Sequence, residues 1–148
     1  MSRTQRFELL LKVARVREQD AARSLAGDKV ALQESRGKLQ ELLVYRTDYA
    51  KGISGTGSIG FGVQFRDNCL FLDRLNRAIT AQRRQIDERG DIVDASERRW
   101  QDAHKQLAIL DKVSERARIA DRVAMDRRDQ KWADELAGAA HARSYKQD

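Results

Sequence analysis

The sequence predicts an all-α fold: a long antiparallel two-helix coiled coil, a helical hairpin, with a C-terminal helical overhang. Three observations predict it. The chain of 148 residues has no proline, so the strongest helix breaker is absent. Five of its nine glycines fall in the eleven-residue stretch Gly52–Gly62, which makes that stretch the one natural turn. On either side run charged, leucine- and alanine-bearing segments whose apolar residues recur at heptad spacing. The expected elements are a helix over 4–50, a glycine-rich turn over 52–62 and a helix over 63–142, forming a single coiled-coil domain.

The first helix follows from a register opened at Thr4. Its a and d positions are then Thr4, Phe7, Leu11, Ala14, Glu18, Ala21, Leu25, Asp28, Leu32, Ser35, Leu39, Leu42, Arg46 and Tyr49. Most are apolar and the register never slips, so one side of this helix needs a partner helix to cover it. Gly27 and Gly37 lie off the seam, and each weakens the helix by about 1 kcal/mol relative to alanine.

The second helix has its own register. Leu72, Ile79, Ile86, Val93, Trp100 and Leu107 are six successive a positions, and the matching d positions are Leu75, Gln82, Arg89, Ser96, Ala103 and Leu110. Gly90 marks an expected local bend. Past Leu110 the pattern thins to Val113, Ala117, Ala120 and Ala124. With the fold-back centred near Ile59, facing residues sum to about 117 under antiparallel pairing. Leu42 then faces Leu75, Tyr45 lies near Phe71, Phe7 near Leu110, and Asp28 near Arg89. Roughly thirty residues beyond Val113 have no expected intramolecular partner, and an isolated helix of that length is marginal in water.

Composition narrows the function classes. Charged residues make up 35% of the chain and aromatics 6%, with a net charge of +6. Along the chain, residues 1–50 carry ten bases and seven acids, 51–110 ten and eight, and 111–148 nine and eight. Nucleic-acid binders concentrate their positive charge, so no nucleic-acid partner is expected. The single cysteine, Cys69, allows no internal disulfide, as suits a reducing compartment. The apolar run near the N-terminus is too short and too charged for a signal segment, and no stretch is long enough to span a membrane.

No catalytic constellation is legible. His104 and His141 are the only histidines and lie far apart, and metal ligation needs several such groups converging. No cofactor or metal is expected. The glycine stretch lacks the Gly-Lys-Ser/Thr ending and the preceding strand of a phosphate loop. The informative residues are aromatic. Tyr45 and Tyr49 precede the turn, and Phe71, Leu75, Ala78 and Gln82 follow it. The fold-back sets these two groups side by side, either as the cap of the core or as anchors for a partner. Trp100 sits on the seam and reads as core. Trp132, in the overhang, reads as a partner contact.

The stretches Asp20-Ala21-Ala22-Arg23, Tyr45 with Tyr49, Phe71-Leu72-Asp73-Arg74-Leu75-Asn76-Arg77-Ala78-Ile79, Arg99-Trp100 and Arg128-Asp129-Gln130-Lys131-Trp132-Ala133-Asp134-Glu135 occur together in an order that resembles the FliJ family of flagellar type III export proteins. The resemblance covers nearly the whole chain. It implies a non-enzymatic stalk that couples a hexameric export ATPase to the membrane export gate and escorts export chaperones. The family's gate-binding face carries over onto Leu42, Tyr45, Tyr49, Phe71, Leu75 and Ala78, with changed side chains at Lys38 and Gln82. Candidates for the ATPase contact are Phe7, Leu11, Arg128, Gln130 and Trp132. The implied location is cytoplasmic, peripheral to the inner membrane at the flagellar base, with the membrane reached only through partners. The competing readings are a stalk of a related injectisome and a generic homodimeric coiled coil.

Overall fold

The computed structural model describes residues 2–55 and 63–146. They form two helices, α1 (Arg3–Gly55) and α2 (Val63–Lys146), packed against each other as an antiparallel hairpin. No strand occurs among the described residues.

Ser2 starts α1 by capping it. The Gln5 backbone N–H donates to Ser2 Oγ at 3.2 Å, and the Ser2 N–H donates to Gln5 Oε1 at 2.9 Å. These reciprocal bonds form a capping box, which satisfies two N–H groups that a helix start leaves without partners. α1 then runs through Gly52 and Gly55, past its expected end at residue 50. Of the expected turn over 52–62, residues 56–62 lie outside the described residues. α2 begins at Val63 as expected and extends to Lys146, four residues past 142. It passes Gly90 without interruption.

Residue contacts divide the chain into two units, Gln19–Asp102 and Met1–Glu18 with Ala103–Asp148. Both helices contribute to each. In the unit Gln19–Asp102, Leu25, Leu32 and Val93 are buried and pack with Ile86 and Trp100. Leu75 and Ile79 are buried further toward Phe71, with Ile79 only 2% exposed. Burying a side chain of that size stabilises the pair by roughly 1.5–3 kcal/mol relative to leaving it in water. Every a and d position expected from the heptads, from Thr4 to Tyr49 and from Leu72 to Leu110, is buried or half-buried.

The polar seam positions pair differently from the expectation. Asp28 was expected near Arg89, but the Ser96 hydroxyl donates to the Asp28 carboxylate instead, and Arg89 Nε is buried with no partner. Arg89 and Ser96 are successive d positions, one heptad apart, so spacing alone does not separate them. A small hydroxyl can satisfy the carboxylate inside the seam with less desolvation than a guanidinium brings. Closer to the turn the expected alignment holds. Gln82 Nε2 donates to the Ser35 carbonyl at 2.9 Å, and Tyr49 Oη donates to Asn68 Oδ1 at 2.5 Å.

The unit Met1–Glu18 with Ala103–Asp148 carries the larger offset throughout. His104 lies 3.7 Å from Glu18, Arg118 lies 3.8 Å from Glu8, and the Thr4 hydroxyl donates to Asp121. Phe7 therefore stands opposite the turn of α2 near Arg118, not Leu110. The seam continues through Ser114, buried, and Ala117, half-buried; of the expected Val113–Ala117–Ala120–Ala124 stripe, Val113 and Ala117 are half-buried and Ala120 and Ala124 are exposed. Pairing extends to Asp121, so the overhang begins about eight residues later than expected. From Arg118 to Lys146 every residue is exposed. No described helix is long and apolar enough to cross a membrane.

Candidate interaction surfaces

In the unit Gln19–Asp102 the heptad sets Tyr45 at a g position, beside the seam, and Tyr49 at d, within it. Phe71, at g on α2, meets both. Its ring centroid lies 5.9 Å from that of Tyr45 in an edge-on arrangement at 71°, and 4.6 Å from that of Tyr49 at 48°. Offset and edge-on aromatic contacts of this kind add about 0.5–1.5 kcal/mol beyond area burial. Tyr49 is half-buried, and its bond to Asn68 fixes the ring. Arg46 Nη1 donates to Asn76 Oδ1 at 3.2 Å, a second polar tie across the pair.

This cluster has a rigid base and a wet top. Leu75 is 6% exposed and Leu42 and Phe71 are half-buried, whereas Tyr45 is 53% exposed. Ala78 and Lys38 are exposed. Gln82 is half-buried and turns its amide inward to Ser35, so it ties the seam and presents little to solvent. Tyr45 also borders an open depression with Gly37, Gln40, Glu41, Val44 and Asp48. A Cβ at Gly37 would meet nothing within 4 Å. Val44, 50% exposed, was not anticipated. Its f position reads as outer face in a heptad, and only the depression beside Tyr45 marks it.

The second set of candidates lies in the unit Met1–Glu18 with Ala103–Asp148. Leu11 is 3% exposed and packs in the seam, and Phe7 is half-buried beneath the Arg3 guanidinium, 5.7 Å from its ring centroid. Arg128, Gln130 and Trp132 are exposed on α2 beyond the last facing residue of α1, Trp132 by 64%. Met125 and Leu136, 65% and 54% exposed, join Trp132 on one side at spacings of seven and four. That stripe follows the paired seam after a four-residue step, which the heptad reading missed because it held the register fixed.

The chemistry these surfaces offer is contact. Among the described residues no group of three His, Cys, Asp or Glu side chains is arranged to hold a metal ion. Cys69 is exposed. His104 is turned to Glu18, and His141 lies on α2 with its ring centroid 6.5 Å from that of Tyr145.

Residues 2–146 match the family described as "Flagellar FliJ protein". The sequence is 29% identical over 126 residues to the Flagellar FliJ protein of Escherichia coli (strain K12), covering 84% of this chain and 86% of that protein. It is 26% identical over 140 residues to the Flagellar FliJ protein of Salmonella typhi, covering 93% of this chain and 94% of that one.

Proposed function

The chain belongs to the FliJ family, whose members are components of the flagellar export apparatus, and from that premise we propose that it is a non-enzymatic stalk linking an export ATPase to the export gate. The gate's cytoplasmic domain docks on Leu42, Tyr45, Tyr49, Phe71, Leu75 and Ala78. Tyr45 and Phe71 are the anchors, and Lys38 borders them. Gln82 acts from within the seam. The hexameric ATPase takes the unit that carries Phe7, Leu11, Arg128, Gln130 and Trp132. Leu11 contributes by holding α1 in place, and the exposed side chains make the contact. Export chaperones are escorted on the same chain, which works in the cytoplasm at the flagellar base.

One observation carries this reading. The Phe71 ring contacts both Tyr45 and Tyr49 on a seam whose base is dry, yet Tyr45 remains half open to water. Interface anchors have this character: rigid, aromatic and partly desolvated before the partner arrives. The Trp132 stripe supports the ATPase contact in the same way, since an indole left 64% exposed gains most from a covering partner.

Pull-down of the full chain by the gate's cytoplasmic domain and, separately, by the ATPase tests the reading. Both are expected to capture it. Trp132→Ala is expected to weaken only the ATPase capture, and Tyr45→Ala only the gate capture. Equal effects of either change on both partners contradict the division of labour.

A further inference from the structure

The unit Met1–Glu18 with Ala103–Asp148 segregates its charge in a way that counting along the chain conceals. Extending the two heptads assigns each paired residue, 2–18 on α1 and 103–123 on α2, to a position. All five carboxylates of these segments, Glu8, Glu18, Asp111, Glu115 and Asp121, fall at a, b or e. Glu8, Glu18, Glu115 and Asp121 are engaged there with Arg118, His104 and Thr4. The c, f and g positions hold no carboxylate. They hold six exposed cations, Arg3, Arg6, Arg17, Lys105, Lys112 and Arg116.

Between these cations stand exposed aliphatic side chains. Leu9, Leu10, Val13 and Val16 on α1 and Ile109 and Ile119 on α2 are all exposed. In an antiparallel pair the g positions of the two helices adjoin, so Leu10 and the half-buried Val113 share one edge, flanked by Val13 and Ile109 at c. The opposite edge is the one closed by the Glu8–Arg118 pair. One side of this unit is therefore acid-containing and ion-paired, and the other is aliphatic and purely cationic.

The geometry points to direct docking of this c/f/g side on the surface of a bilayer containing anionic phospholipid. Cations placed among Leu, Val and Ile are what an interfacial amphipathic surface needs: the aliphatic groups enter the headgroup boundary and the cations meet phosphate. The side bears no aromatic ring, the usual anchor for a protein partner. Its aliphatic content has no use in a contact made only with a nucleic-acid backbone. The chain would thus reach the membrane itself and not only through partners. The unit is the one proposed above for the ATPase, but none of the five ATPase-contact candidates lies on this side within residues 2–18 and 103–123, so failure here leaves the stalk reading standing.

Sedimentation of the full chain with phosphatidylcholine vesicles, with and without phosphatidylglycerol, tests it. Binding is expected only when phosphatidylglycerol is present. Each cation near such a surface contributes about fivefold in affinity, so Arg6→Ala with Arg17→Ala is expected to weaken binding about 25-fold. Arg15→Ala, at an e position two residues from Arg17, is expected to change it less than about twofold. Leu9→Ser with Val13→Ser, both at exposed sites, is expected to reduce binding with helicity by circular dichroism unchanged. No binding to the anionic vesicles overturns the proposal, as does equal loss for Arg15→Ala. Full binding by Leu9→Ser with Val13→Ser also overturns it, and assigns the face to an acidic protein or nucleic acid.

Discussion

The c positions of α1 carry opposite chemistry in the two units. They read Arg6 and Val13 in the unit Met1–Glu18 with Ala103–Asp148, then Asp20, Gly27, Glu34, Glu41 and Asp48 in the unit Gln19–Asp102. The g positions change from Arg3, Leu10 and Arg17 to Ser24, Ala31, Lys38 and Tyr45. The seam differs as well. In the unit Gln19–Asp102 Ser96 donates to Asp28 and Gln82 to the Ser35 backbone carbonyl across the helices, Arg89 Nε is left without a partner, and aromatic rings close the seam. In the other unit α2 outlasts α1 and three of its next four a and d positions are charged, Asp121, Arg128 and Lys131, with Ala124 between them. A single continuous repeat can therefore hold two kinds of surface. The seam sets where the backbone goes, and the positions beside it determine what each unit can bind.

The largest effect that separates the units is on stability. Ile79→Ala is expected to destabilise the chain by about 2–5 kcal/mol, because a buried isoleucine leaves a cavity. Trp132→Ala is expected to leave stability within about 0.5 kcal/mol, since exposed sites contribute little. Chemical denaturation followed by circular dichroism measures both. A large loss for Trp132→Ala means that α2 beyond Asp121 is packed against something in the free chain.

The seam register separates the units by the next largest effect. Cysteines at Asp28 and Ser96 are expected to crosslink within one molecule, and cysteines at Asp28 and Arg89 to do so far more slowly. The reverse order restores the alignment read from the sequence. The smallest effect comes from glycine. An added Cβ at Gly37 or Gly90 meets nothing within 4 Å, so alanine at either position is expected to stabilise the chain by about 1 kcal/mol. A rise in the unfolding midpoint checks it, and a fall shows a helix distortion at that site.

Most of the fold was legible because period and breakers act locally. Heptads from Thr4 and Leu72 identify every buried position through Leu110, and the absence of proline permits long helices. The pairing offset was less legible. Successive heptads are equivalent by construction, so the choice between Arg89 and Ser96 as partner for Asp28 rests on desolvation, which spacing does not encode. The capping box at Ser2 and Gln5 was present as a Ser-x-x-Gln pattern and was passed over. The aromatic cluster was legible because the fold-back brings Tyr45 to Phe71 under any nearby offset. The cationic side was not, because totals along the chain mix helix faces that the heptad separates.

Tyr45 and Phe71 are the proposed anchors of the docking surface, and titration of the gate's cytoplasmic domain with the full chain tests them. Tyr45→Ala with Phe71→Ala is expected to weaken binding by at least about 100-fold, about 3 kcal/mol, with helicity unchanged. Unaltered affinity in that double variant contradicts the account.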